Sequence, residues 1–160
     1  MSTNLPPCGL YRTTAKIGGI DAGRLVYYHN HGDPGPGLYF PEKWIQNRVV
    51  WAVKGMTAPA EFQNAWLAPL QPEGFYRVNN EFACCAKKCM TFVAETFVQL
   101  GYNAMGKPLV FVPLLSAGGI SIPERGVLID DDVIGNLSAL SVAENKAQQQ
   151  DLAVPRMVIH

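Results

Sequence analysis

The sequence predicts a mainly β protein in which one small antiparallel barrel is written twice, each copy closing with a short helical turn. Three observations carry this reading. First, Pro7-Cys8-Gly9-Leu10-Tyr11-Arg12 recurs as Pro72-Glu73-Gly74-Phe75-Tyr76-Arg77, and further matching segments follow in the same order. Second, runs of four to seven residues rich in Val, Leu, Tyr and Phe favour strand over helix. Third, 15 glycines and 12 prolines supply the punctuation of a chain made of short strands and many turns.

The elements follow in order. Each copy opens after a proline with a strand, Gly9–Thr13 and Gly74–Asn79. A second strand is expected over Arg24–His29 and Phe97–Tyr102, where Leu25-Val26-Tyr27-Tyr28-His29-Asn30 lies over Val98-Gln99-Leu100-Gly101-Tyr102-Asn103. Turns follow at Gly32–Gly37 and Asn103–Lys107. A third strand covers Leu38–Pro41 and Leu109–Leu115, and a fourth covers Arg48–Val53 and Gly119–Ile122. Each copy then ends in a helical turn, with Thr57 and Asp130 as the N-caps. This puts the first repeat at 5–70 and the second at 71–142. A polar-then-apolar tail at 143–160 has no counterpart in the first copy. The layout of four or five short strands and a closing turn resembles SH3-like barrels. A unit of this size has a marginal core alone, so the two copies are expected to pack together.

Composition narrows the function. Apolar residues make up 48% of the chain and charged residues 16%, as in a globular body. There are 13 basic and 13 acidic residues, and Lys87-Lys88 is the only basic pair, so nothing calls for a nucleic-acid partner. No segment reaches the ~18 consecutive apolar residues of a membrane span. Met1-Ser2-Thr3-Asn4 lacks a basic and apolar leader, which makes a cytoplasmic site the expectation.

Subtracting one copy from the other isolates the residues that only one of them has. The second copy carries roughly eight extra residues between its first and second strands. They belong to an expected hairpin at 80–93, whose tip is Ala86-Lys87-Lys88 and which holds Cys84, Cys85 and Cys89. Thiolates so placed suit zinc, which takes Cys and His in a tetrahedron, though a fourth ligand must come from elsewhere. They suit a redox pair as well, because Cys85 and Cys89 flank a three-residue loop, and the plainest reading is three unligated thiols.

The second unshared feature is His29-Asn30-His31. Residues i and i+2 of a strand point to one side, so both imidazoles can face one metal. With Gly23, this stretch is similar to the start of the first cupin motif, Gly, five residues, then His-x-His. The resemblance implies a metal-dependent enzyme with His29 and His31 as ligands. The chain departs from the pattern at the Glu position, where Gly35 or Pro36 stands, and in lacking a second-motif His. The run Asp130-Asp131-Asp132 lacks the spaced oxygens of a calcium loop and reads as a helix cap. No Gly-x-Ser-x-Gly elbow or phosphate loop occurs.

Tyr11-Arg12 and Tyr76-Arg77 form a repeated pair, candidates for recognition but, being shared, better suited to scaffold. Arg stacked on Tyr or bonded to turn carbonyls would serve that purpose. Trp44, Trp51 and Trp66 all fall in the first copy, as core or as a binding groove. The leading expectation is a non-enzymatic module that binds a protein partner, with Tyr11, Arg12, Tyr76, Arg77, Trp44, Trp51, Lys87 and Lys88 as contact candidates. No cofactor is required by it. The alternatives are the cupin-like enzyme and a zinc or redox site on the Cys84–Cys89 hairpin.

Overall fold

The computed structural model describes residues 5–141, so the tail at 143–160 lies outside the described residues. The protein is mainly β, with several antiparallel sheets. It divides into two compact units. The first holds the described residues up to Trp44 together with Val49–Gln71. The second holds Pro72–Ser141 together with the turn Ile45–Arg48.

The first unit begins with β1 (Gly9–Thr13), which pairs antiparallel with β2 (Leu25–His29), followed by β3 (Gly37–Tyr39). Next come β4 (Pro41–Ile45) and β5 (Arg48–Trp51), paired only with each other. Then follow β6 (Met56–Thr57), the 3-10 turn η1 (Asn64–Trp66) and β7 (Leu67–Pro69). The sheet order is β6-β3-β2-β1-β7. On β1 the alternation is plain: Tyr11 and Thr13 are buried and their neighbours are not. Central β2 is covered on both faces, so its inward Val26 and Tyr28 and its oppositely directed Leu25 and His29 are all buried. Tyr11, Ile17, Val26, Tyr28, Leu38 and Leu67 form the core, with Phe62 and Trp66 packed against it.

In the second unit β8 (Gly74–Val78) is followed by the small hairpin β9 (Phe82–Ala83) and β10 (Thr91–Phe92). Then come β11 (Phe97–Tyr102), β12 (Pro108–Phe111) and the hairpin β13 (Leu114–Ser116) and β14 (Gly119–Ser121). β15 (Val127–Leu128), the 3-10 turn η2 (Asp131–Asn136) and β16 (Leu137–Ala139) complete it. The sheet order is β15-β12-β11-β8-β16. Tyr76, Val78, Val98, Leu100, Tyr102, Val110 and Leu137 are buried. The β9–β10 hairpin stacks Phe82 on Phe92, ring centroids 4.9 Å apart.

The structure corrects several expectations. Neither sheet closes into a barrel: each keeps two edge strands of only two or three residues, too short to meet around the back. The expected third strands are each split before a proline. Pro41 starts β4, and Pro113 separates β12 from β13, because proline has no N–H to give the ladder. The expected fourth strands exist but serve as second arms of local hairpins. The fourth place in each sheet goes to β6 and β15. Thr57 lies in β6 and caps nothing; η1 is preceded by Gln63. Asp130 does precede η2, although its side chain makes no capping bond. Neither helical turn is terminal, since each leads into a last strand, β7 or β16, that pairs with the opening strand.

Candidate metal site on the first sheet

The ladder between β1 and β2 builds this site. Gly9 faces Tyr28 in that antiparallel register. One step further out, Cys8 stands opposite His29, at the range where cross-strand side chains meet. Cys8 Sγ lies 3.5 Å from His29 Nδ1. His31 follows two residues on and sets its ring edge-on to that of His29, centroids 4.6 Å apart. One ligand atom from each of Cys8, His29 and His31 falls within 4.8 Å of the others.

The surroundings fix these side chains. The Asn30 amide N–H donates to Cys8 Sγ at 3.3 Å, and the thiol donates to Asn30 Oδ1 at 3.2 Å. These two contacts hold the Cys8 sulfur in place beside the histidines. His29 is buried and lies beside the cross-strand pair Tyr27 and Tyr39, ring centroids 5.4 and 6.1 Å away. His31 is exposed and Cys8 half-buried, so the group opens outward.

The donor set fits a zinc-class ion. With Zn–S near 2.3 Å and Zn–N near 2.05 Å, a tetrahedral ion separates sulfur and nitrogen by roughly 3.5 Å. That is the Cys8–His29 separation observed. Three protein donors leave one tetrahedral position for water or a further ligand.

Sequence reasoning paired His29 with His31 but passed over Cys8. The signal was present: of two similar hexapeptides, Pro7–Arg12 has Cys8 where Pro72–Arg77 has Glu73. The cupin pattern would have drawn the third ligand from after the histidines, where Gly35 and Pro36 offer no side-chain donor.

The other candidates lie elsewhere. Cys84, Cys85 and Cys89 do converge at the β9–β10 tip, with Sγ–Sγ separations of 3.5 Å (Cys84–Cys85) and 3.9 Å (Cys85–Cys89). All four cysteines are free. The Cys85 thiol is pushed below its ordinary value, chiefly by the Cys89 backbone N–H, then by the Cys84 thiol and the Lys87 backbone N–H. Its neighbour Cys89 is pushed up, chiefly through its hydrogen bond with Cys85. Lys87 and Lys88 are exposed on the same turn.

Tyr11 and Tyr76 are buried, and each donates its hydroxyl to the carbonyl of the proline four residues before it: Pro7 at 2.7 Å and Pro72 at 2.6 Å. Each therefore ties its strand to the segment leading into it. Arg77 neither stacks on Tyr76 nor bonds a turn carbonyl. It donates to Asn79 Oδ1 at 3.0 Å and pairs with Glu95 at 3.5 Å, all at the surface. Arg12 is half-buried. Trp51 is half-buried with its ring 5.7 Å from Tyr27, and Trp66 lines the core. Trp44 is exposed, so the tryptophans are not one core cluster.

Among the described residues no helix is long and apolar enough to cross a membrane. No family model matches the chain, no curated protein matches it, and no solved structure matches it.

Proposed function

We propose that this protein is a metal-binding β protein whose first unit takes one zinc-class divalent ion at Cys8, His29 and His31. The observation that carries the reading is the convergence of a cysteine with a histidine pair lying 21 residues along the chain from it. Support comes from the amide directed at the sulfur and from the Tyr27–Tyr39 pair beside His29, which orient the ligands. In this reading Cys8 and the two imidazoles are the ligands, and Asn30 is the residue that positions Cys8.

The two units would then be descendants of one duplicated SH3-like element, of which only the first acquired the site. Three similarities support this. The strand orders correspond place for place when each sheet is read from its fourth strand. The tyrosine-to-proline bond recurs at the same four-residue spacing. Gly55 lies against the Tyr39 ring and Gly126 against the Phe111 ring, where a Cβ would come to 2.8 Å in both cases. Matched by their ladders, Gly9–Tyr28 and Gly74–Leu100, the units place Gly101 at the position of His29. That register differs by one residue from the alignment of the letters, and it leaves the second unit without an imidazole at this place.

The test is metal content of untagged protein, with cobalt(II) as a coloured substitute for zinc. One equivalent should bind, with visible bands that include thiolate-to-cobalt charge transfer. Cys8→Ser should abolish the charge-transfer band, and His31→Ala, at an exposed residue, should weaken binding without unfolding the chain. A cobalt complex identical in wild type and Cys8→Ser would refute the reading.

A further inference from the structure

We propose that the β9–β10 tip is a second, separate metal site, a three-thiolate site for copper(I) formed by Cys84, Cys85 and Cys89. It is independent of the first-unit site.

Local backbone geometry brings the three sulfurs together. Thr91 faces Ala83 and Phe92 faces Phe82, so the ladder ends just before Cys84. The Cys84 N–H then bonds the Met90 carbonyl at 2.9 Å, and the Lys88 N–H bonds the Cys85 carbonyl at 2.9 Å. The turn this closes takes Lys88 through a positive φ of 53° and folds the chain back on the sulfurs. Adjacent residues on a strand point to opposite faces. Here the strand has ended, and Cys84 and Cys85 place their sulfurs 3.5 Å apart. From behind, the Asp130 N–H fixes the Cys84 carbonyl at 2.9 Å. The cluster is graded from a buried Cys84 through half-buried Cys85 to an exposed Cys89, so an ion has an entry path and a sheltered seat.

The choice of ion follows from the donors. Sulfur atoms bonded to one metal at about 2.3 Å stand roughly 3.8–4.0 Å apart, whether the centre is tetrahedral or trigonal. The observed 3.5 and 3.9 Å need little adjustment. Structural zinc takes four ligands, commonly Cys or His. Among the described residues, three sulfurs form this group and no His, Asp or Glu joins them. Copper(I) is a soft, closed-shell ion that is content with three thiolates, and soft donors select it. The Cys89 and Lys87 backbone N–H groups are directed at the Cys85 sulfur and hold it on the inside of the turn. Two lysines on the same turn lower the repulsion among three negative sulfurs. Binding displaces the thiol protons to solvent and leaves the copper oxidation state unchanged, so no oxidant or reductant is consumed.

The experiment is an anaerobic titration of reduced protein with copper(I), in competition with a coloured copper(I) chelator, followed by X-ray absorption at the copper edge. One copper(I) per chain with three sulfur neighbours is the expected result. Cys85→Ser and Cys89→Ser should each weaken binding by at least about 100-fold, beyond what loss of an outer partner does. Cys89 is exposed, so its replacement leaves the fold intact. His29→Ala and His31→Ala should leave this copper in place, which separates the site from the first-unit one. Copper that survives Cys89→Ser, that is lost instead on Cys8→Ser, or that equimolar zinc displaces would overturn the proposal.

Discussion

Three tyrosine-to-phenylalanine substitutions should act with opposite signs. Tyr11 and Tyr76 each lose a hydroxyl that donates to a proline carbonyl, at 2.7 and 2.6 Å. Phenylalanine keeps the ring and its packing, so the loss is one hydrogen bond, about 1 kcal/mol net. For a chain of this length that lowers Tm by about 2–4 °C. Tyr28 differs. It is fully buried, and its hydroxyl has no hydrogen-bond partner among the described residues. Its ring stacks on Phe62 at 5.6 Å and meets Tyr11 edge-on at 6.0 Å, and both contacts survive in phenylalanine. Removing an unpaired buried hydroxyl relieves a penalty of about 1–3 kcal/mol, offset in part by the small void left. Tyr28→Phe should therefore be neutral or stabilising by up to about 1 kcal/mol. Urea unfolding monitored by tryptophan fluorescence suits Tyr11 and Tyr28, because Trp44, Trp51 and Trp66 all sit in the first unit. Tyr76 requires calorimetry. If Tyr28→Phe destabilised as much as Tyr11→Phe, the assignment of one tyrosine as scaffold bond and the other as orphan would fail.

Further outcomes follow from the same geometry. Burial raises the Tyr11, Tyr28 and Tyr76 phenols, with Cys8 adding to the first two. The unfolded chain then releases phenolic protons first, so stability holds below about pH 10 and falls above it. Unfolding measured from pH 8 to 11.5 should show that decline, flatter in Tyr76→Phe. Gly55→Ala should destabilise more than Gly126→Ala, by about 1–3 kcal/mol against less. A Cβ at Gly55 meets the Leu38 carbonyl oxygen at 2.6 Å, whereas at Gly126 the obstacles are side chains, led by the Phe111 ring; thermal melts of the pair decide it. Within the second unit Asn47 Nδ2 donates to Gln99 Oε1 at 3.1 Å and to the Pro123 carbonyl at 2.9 Å, and Gln99 is buried. Asn47→Gly tolerates the φ of 66° at this position but leaves Gln99 Oε1 without that donor. A loss of roughly 1–3 kcal/mol should appear in urea titrations.

Much of this protein was legible because strand signals are local. Val, Leu, Tyr and Phe content placed β1 and β11 at their observed bounds and β2 and β8 within a residue. A hairpin was expected at 80–93, and β9 and β10 pair there around Cys84–Cys89. Pairing was harder to read, because it depends on residues far apart. Arg48–Val53 carries a strand signal, yet nothing in it says that β5 pairs with β4 instead of joining the main sheet. The two-residue strands β6 and β15 are too short to leave a pattern.

The sequence by itself determined the β character, the positions of the central strands, the repeated Tyr-to-Pro spacing and the three-cysteine turn, all of which follow from neighbours along the chain. Only the tertiary structure decided that the sheets stay open, that Ile45–Arg48 belongs with the second unit, and that Cys8 meets His29 and His31. The reason is register. A metal site needs atoms a few ångströms apart, and a one-residue slip of β1 on β2 would turn Cys8 to the opposite face. That register is set by the burial of Tyr11, Val26 and Tyr28 in one core, a condition on the whole sheet that no short stretch of sequence states.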